Sequence, residues 1–229
     1  MTRGGDAAFG RRRRDWLKRG LLGAAAMPLL LREALAARKQ PEGMVMIKGG
    51  VQVNGAAARS GTRVKPGDRV ATAAGGIAVF VVGADAFLLR ESSELHTAGS
   101  EVLIASLRLV TGKLLSVFGR GPRVITTPTA TVGIRGTGVY VEAEAERSYV
   151  CTCYGKVDLQ ARNMPAARET VSTMHHDAPR YVYAQGEMPI KMIAAAPVIN
   201  HSDAELIMLE ALVGREPPFV GSGRQYQDY

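Results

Sequence analysis

The 229-residue chain has little cysteine, histidine or aromatic content: two Cys, four His, one Trp, and 6% aromatic residues in all. Two cysteines cannot build a disulfide scaffold. No apolar run reaches the ~18 residues needed to cross a bilayer, so no stable membrane span is expected. Catalytic signatures are missing too. There is no G-x-S-x-G, H-E-x-x-H or P-loop, so the chain reads as a non-enzyme. C-x-x-C-H is absent, so covalent haem is not indicated. Few aromatics beside 26 glycines suit a turn-rich β protein better than a helical bundle.

The surplus positive charge is local. The formal charge is +8, but residues 1–37 hold eight basic and three acidic side chains, which leaves the remainder close to +3. No dense basic stripe remains to follow a phosphate backbone, so no nucleic-acid partner is expected. The run Arg13-Arg14-Asp15-Trp16-Leu17-Lys18 resembles the twin-arginine export signal, with Trp in the aromatic position. An apolar stretch from Gly20 to Leu31 follows, broken by Pro28. At ~1.5 Å per residue it is too short for a ~30 Å hydrocarbon core. Ala34-Leu35-Ala36 then supplies the small-residue pattern a signal peptidase needs. Residues 1–36 therefore read as a leader cleaved near Ala36 and 37–43 as a linker, with the mature protein in the periplasm. The twin-arginine resemblance implies export in a folded state, often with a cofactor bound.

From residue 44 to 186, short β-favouring runs alternate with Gly, Pro, Asn and Asp. Examples are IAVFVV (77–82), VLIASLRLV (102–110), KLLSVF (113–118), ATVGI (130–134), VYVEAEA (139–145), SYVCTCY (148–154) and KVDLQ (156–160). Such spacing predicts an all-β sandwich, barrel or solenoid. Asn54-Gly55 predicts a two-residue hairpin turn and Lys65-Pro66-Gly67-Asp68 a type II turn. Thr111-Gly112 reads as a turn between two strands. After Gly186 a linker-like stretch leads to Ser202-Asp203-Ala204-Glu205, a capping box that opens a helix over 203–213, ended by Gly214. Three turns are not stable alone, so this helix must dock on something. The tail from Pro217 to Tyr229 reads as disordered.

Six elements in order resemble the FecR-like domain between Met44 and Gln160. Val51-Gln52-Val53-Asn54-Gly55 resembles its opening hairpin, and Val64 to Thr72 its Gly67-Asp68 turn and following strand. Leu89 to Leu95 and Leu109 to Leu114 resemble two further steps. Thr127-Pro128-Thr129-Ala130, running on to Arg135-Gly136-Thr137, is similar to the most specific family element, and Gly155-Lys156-Val157 to the closing one. The resemblance implies a FecR-like β-sandwich or short β-solenoid with a short C-terminal helix. It further implies a binding or signalling module that recognises a protein or small ligand in the cell envelope. Well-known members are transmembrane sigma-factor regulators. This chain departs from them in having no spanning helix and no long N-terminal regulatory domain, so what carries over is a periplasmic binding role. Ligand, partner and oligomeric state stay open.

One constellation carries possible chemistry. Cys151-Thr152-Cys153 lies in an expected strand, where residues i and i+2 share a face ~6.5–7 Å apart. That spacing is at the edge of disulfide geometry, and two thiols on one face suit a soft or borderline metal. His175-His176-Asp177 follows. Cys151, Cys153, His175 and His176 form a candidate zinc or copper site, with Asp177 as the residue that orients an imidazole. A regular strand would place His175 and His176 on opposite faces, so both can ligate only on irregular backbone. The alternatives are buried cysteines acting as small hydrophobes, solvated histidines, or a labile disulfide in an oxidising compartment.

Overall fold

The computed structural model describes residues 41–100, 103–185 and 192–222; the export signal, the leader and the last seven residues lie outside them. Fourteen strands and one helix occur among the described residues. They are β1 (Gly43–Lys48), β2 (Val51–Val53), β3 (Ala56–Ala57), β4 (Arg69–Thr72), β5 (Ile77–Val82), β6 (Asp85–Leu89), β7 (Glu94–Ser100), β8 (Leu103–Val117), β9 (Pro122–Thr126), β10 (Ala130–Ala143), β11 (Arg147–Ala161), β12 (Arg168–Thr173), β13 (Arg180–Tyr183), β14 (Ile193–Ala195) and α1 (Asp203–Leu212). The fold is all-β with a short C-terminal helix.

All strands belong to one sheet that bends into two halves. The first half runs β1-β5-β6-β8-β10-β11-β13-β14, using the C-terminal parts of β8 and β10 and the N-terminal part of β11. The second half runs β3-β2-β4-β7-β8-β9-β10-β11-β12, using the opposite parts of the same three strands. Pairing is antiparallel except between β8 and β9. A solenoid stacks parallel strands coil on coil, whereas here two antiparallel halves share one core. Phe80, Phe87, Leu114 and Val141 of the first half and Leu95, Leu107, Ile125 and Val132 of the second belong to that core.

The corners explain the motif glycines. Thr111-Gly112 does not reverse the chain; β8 bends there and continues, so VLIASLRLV and KLLSVF are one strand. A Cβ on Gly112, whose φ is +93°, would fall 2.5 Å from the Cα of Ser93. In β10 the register slips between Arg135 and Gly138, which places the Arg135-Gly136-Thr137 element at a second corner. Gly155 of β11 lies against it: its φ is +91°, and an added Cβ would meet the Thr137 side chain at 2.6 Å. Only glycine tolerates both that dihedral and that approach.

The predicted turns form for the expected reasons. Asn54 and Gly55 both take positive φ between β2 and β3. Asp68 N donates to Lys65 O across Pro66 and Gly67 at 3.1 Å. Asn54 Nδ2 also donates to Asp68 Oδ1 at 2.7 Å, so the two turns are tied together. Pro128 sits in the turn joining β9 to β10, where Thr127 N donates to Ala130 O. Arg135 is exposed and stands 3.7 Å from Asp158.

The C-terminal segment covers the outer face of the first half. In β5, Ala78, Phe80 and Val82 enter the shared core while Val79 and Val81 meet a second cluster containing Leu206, Leu209, Val213 and Phe219. Burial on both faces accounts for the unbroken apolar run IAVFVV. The capping box forms at Ser202 and Glu205. Two expectations change here. β14 adds a strand inside the stretch read as linker. Phe219, in the tail read as disordered, is buried against Tyr154 and His175.

Candidate functional site

Alternation along β11 sends Tyr149, Cys151 and Cys153 to the outer face, toward the helical layer, and Val150 to the shared core. β12 ends at Thr173, so His175 and His176 lie just beyond it on irregular backbone, with His176 at φ +52°. The His176 amide donates to Cys153 O at 3.0 Å, which pins this loop to β11. His201 arrives from the other side, two residues before α1.

Four side chains converge: Cys151, Cys153, His176 and His201, with one ligating atom each, all within 4.8 Å of one another and all buried. Cys151 Sγ is 3.5 Å from His176 Nδ1, and His201 Nε2 is 3.0 Å from the same nitrogen. Around a tetrahedral zinc with Zn–S ~2.3 Å and Zn–N ~2.0 Å, sulfur and nitrogen would be ~3.5 Å apart and two nitrogens ~3.3 Å apart. The donor set fits a single ion. A two-iron cluster would hold the thiolate pair and the imidazole pair on separate irons, too far apart for these spacings.

The remaining ring nitrogens are already committed. His176 Nε2 faces Asp203 Oδ1 at 3.0 Å, and His201 Nδ1 faces the Ile199 carbonyl at 2.6 Å. Both partners are acceptors that take a ring N–H, which leaves His176 Nδ1 and His201 Nε2 as the nitrogens on the thiol side. Metal-bound histidines are typically oriented in this way. Burial opposes ionisation of Cys151, yet hydrogen bonding with Cys153, His176 and His201 holds its thiol well below the usual value. Burial, and then the neighbouring Cys151, push Cys153 well above it. Burial opposes protonation of His176, but Cys151 and Asp203 raise it. The Tyr140 ring stacks on His201 at 4.5 Å and shuts the site from that side.

The sequence reading had three of these four residues. His175 does not face the thiols: its Nε2 lies 2.8 and 2.9 Å from the two oxygens of Asp203. Asp203, the first residue of α1, therefore does the orienting work expected of Asp177. Asp177 instead accepts from the Met174 and His175 amides and closes the loop. His201 was missed because it stands alone in a stretch with no local ligand pattern. The available signal was its scarcity: it is one of four histidines, placed just before a capping box.

No family model and no curated protein matches the chain. Two crystal structures of a candidate anti-sigma factor from Parabacteroides distasonis ATCC 8503 match it at 17% identity. They cover 56% of this chain and 58% of that one, with a TM-score of 0.45.

Proposed function

We propose that this chain is an exported, non-catalytic cell-envelope module of FecR-like type that carries one metal ion on Cys151, Cys153, His176 and His201, with zinc as the metal. The convergence of four buried ligand atoms, with both imidazoles oriented from behind, carries this reading. Two thiolates and two imidazoles are a zinc donor set, and four protein ligands leave no position for substrate; such closed sites are structural. The twin-arginine-like leader supports export. Gly136 and Gly155, which belong to the elements that resemble the FecR-like domain, lie at bends of the sheet. The bound ion would neutralise the Cys151 thiolate and bring three chain segments together.

The test is elemental analysis of the chain recovered from periplasmic fractions. One zinc per chain is expected. His201→Ala should lower zinc affinity by at least ~10-fold, whereas His175→Ala, which removes a partner of Asp203 and a ring packed on Phe219 but no ligand atom, should keep the stoichiometry. Loss of zinc in His175→Ala with full retention in His201→Ala would contradict the ligand assignment. Copper in place of zinc would change the metal and keep the site.

A further inference from the structure

On the outer face of the first half, Val79, Leu88, Leu115 and Tyr140 pack in the cluster that includes Leu206 and Leu209 of α1. Two residues further along each strand, on the same face, stand Ile77, Arg90, Lys113 and Glu142. They form one cross-strand row. Lys48 of β1 pairs with Ile77, the Arg90 amide donates to Lys113 O at 3.0 Å, and Lys113 pairs with Glu142. Three of these five residues are cations, and Arg90 and Lys113 are direct neighbours across strands. Like charges placed that way are unfavourable, so sheet stability gives no reason for the arrangement.

A cavity of about 510 Å³ opens at this row, bordered by Lys48, Ile77, Arg90 and Lys113 of the sheet half and by Asn200 and Ser202 before α1. That is the size of a small-molecule site. Its acidic neighbours are largely committed. Glu205 sets both carboxylate oxygens on Arg90 Nη2, at 2.7 and 2.9 Å, and also accepts from the Ser202 amide. Glu91 accepts from the Gly75 amide at 2.7 Å. Glu142 Oε1 accepts from the Tyr140 hydroxyl and from Asn200 Nδ2. Lys113 Nζ stands 3.9 Å from that same oxygen, at the outer limit of an ion pair, and Lys48 forms no ion pair among the described residues. Arg90 and Glu205 cancel each other, so two lysines face Glu91 across the cavity. The two lysines lie three strand spacings apart, ~14 Å between backbones, with Arg90 in between. Their long side chains can reach inward from both ends and hold two negative charges several ångströms apart.

We infer that this cavity binds a small organic dianion with a carboxylate at each end, one carboxylate on Lys48 and the other on Lys113, beside Arg90. The site does not depend on the metal reading. Binding relieves the alignment of cations in the row and places the ligand between the sheet and the approach to α1.

Adipate, titrated into the full chain at low salt and followed by backbone amide shifts, tests the site. Saturable shifts at Ile77, Arg90 and Asn200 are expected, with a dissociation constant on the order of 1 mM. Lys48→Gln and Lys113→Gln should each weaken binding about fivefold, whereas Lys48→Arg should keep it and Lys156→Gln, on an exposed lysine of the second half, should leave it unchanged. Adipamide, which has the same shape without the charge, should not bind. If Lys113→Gln disturbs the amide spectrum beyond the cavity, Lys113→Arg takes its place and must retain binding. Lack of saturable shifts at ~10 mM adipate overturns the site. So does adipamide binding as well as adipate, or undiminished binding in a chain carrying both Gln substitutions.

Discussion

Asp85 and Arg123 form an ion pair inside the protein, with side chains 1% and 2% exposed and Arg123 Nε 2.9 Å from Asp85 Oδ2. Asp85 Oδ1 also accepts from the Gly119 amide at 2.8 Å. Removing one member strands the other without water. Asp85→Ala should therefore destabilise the fold by about 3–5 kcal/mol in denaturant titration, and a change below about 1 kcal/mol would contradict the buried-pair account. Nothing in sequence marks this pair, because 38 positions separate its members and both occur next to ordinary turn residues. His201 offered only its scarcity as a signal, because a residue from a distant segment joins the cluster only when the fold delivers it. Cys151 and Cys153 were legible because their relation is local. Strand periodicity alone puts two thiols on one face, and both are found there.

At the scale of elements, the β character of the chain was readable and the continuity of its longest strands was not. Thr111-Gly112 read as a turn, yet β8 passes through it, and β10 and β11 likewise run on through Gly136 and Gly155. A glycine at positive φ serves a reversal or a bend equally well; which one forms depends on whether neighbouring strands continue the ladder, and that is tertiary information. By contrast, the Asn54-Gly55 hairpin and the Ser202–Glu205 cap are decided within four residues and formed as expected. Between β4 and β7, Glu94 takes a 2.7 Å ion pair from Arg69 and a 2.7 Å contact with His96. Arg69, then His96, lower its pKa to about 2. An unfolded Glu titrates near ~4.3, so this contribution is complete above that value and disappears as pH falls toward 2. Comparing urea midpoints, Glu94→Gln should be slightly less stable than the parent at pH 6, with the gap closing by pH ~2. A gap that widens on acidification would contradict the pairing.

At the scale of the whole molecule, three layers are stacked: the second sheet half, the first half, and the C-terminal segment. The first half is apolar on both faces because it is covered twice, once by the other half and once by α1 and the turns after it. A sheet with one solvated face would show polar alternation in β5 and β6, and it does not: Val79 and Val81 are as buried as Phe80. The cluster of Cys151, Cys153, His176 and His201 lies at the seam between the outer two layers. That location ties the site to the architecture, since the seam is where strands β11, the loop after β12 and the approach to α1 meet. It is also why the donor set could not be completed from motifs alone.

The central claim is that one ion sits among two sulfurs and two nitrogens at this seam. X-ray absorption of the zinc-loaded full chain reads that directly. The account predicts a four-coordinate shell with two sulfurs at ~2.3 Å and two nitrogens at ~2.0 Å. A shell made of oxygen and nitrogen without sulfur, with both thiols free to alkylating reagents, would contradict it.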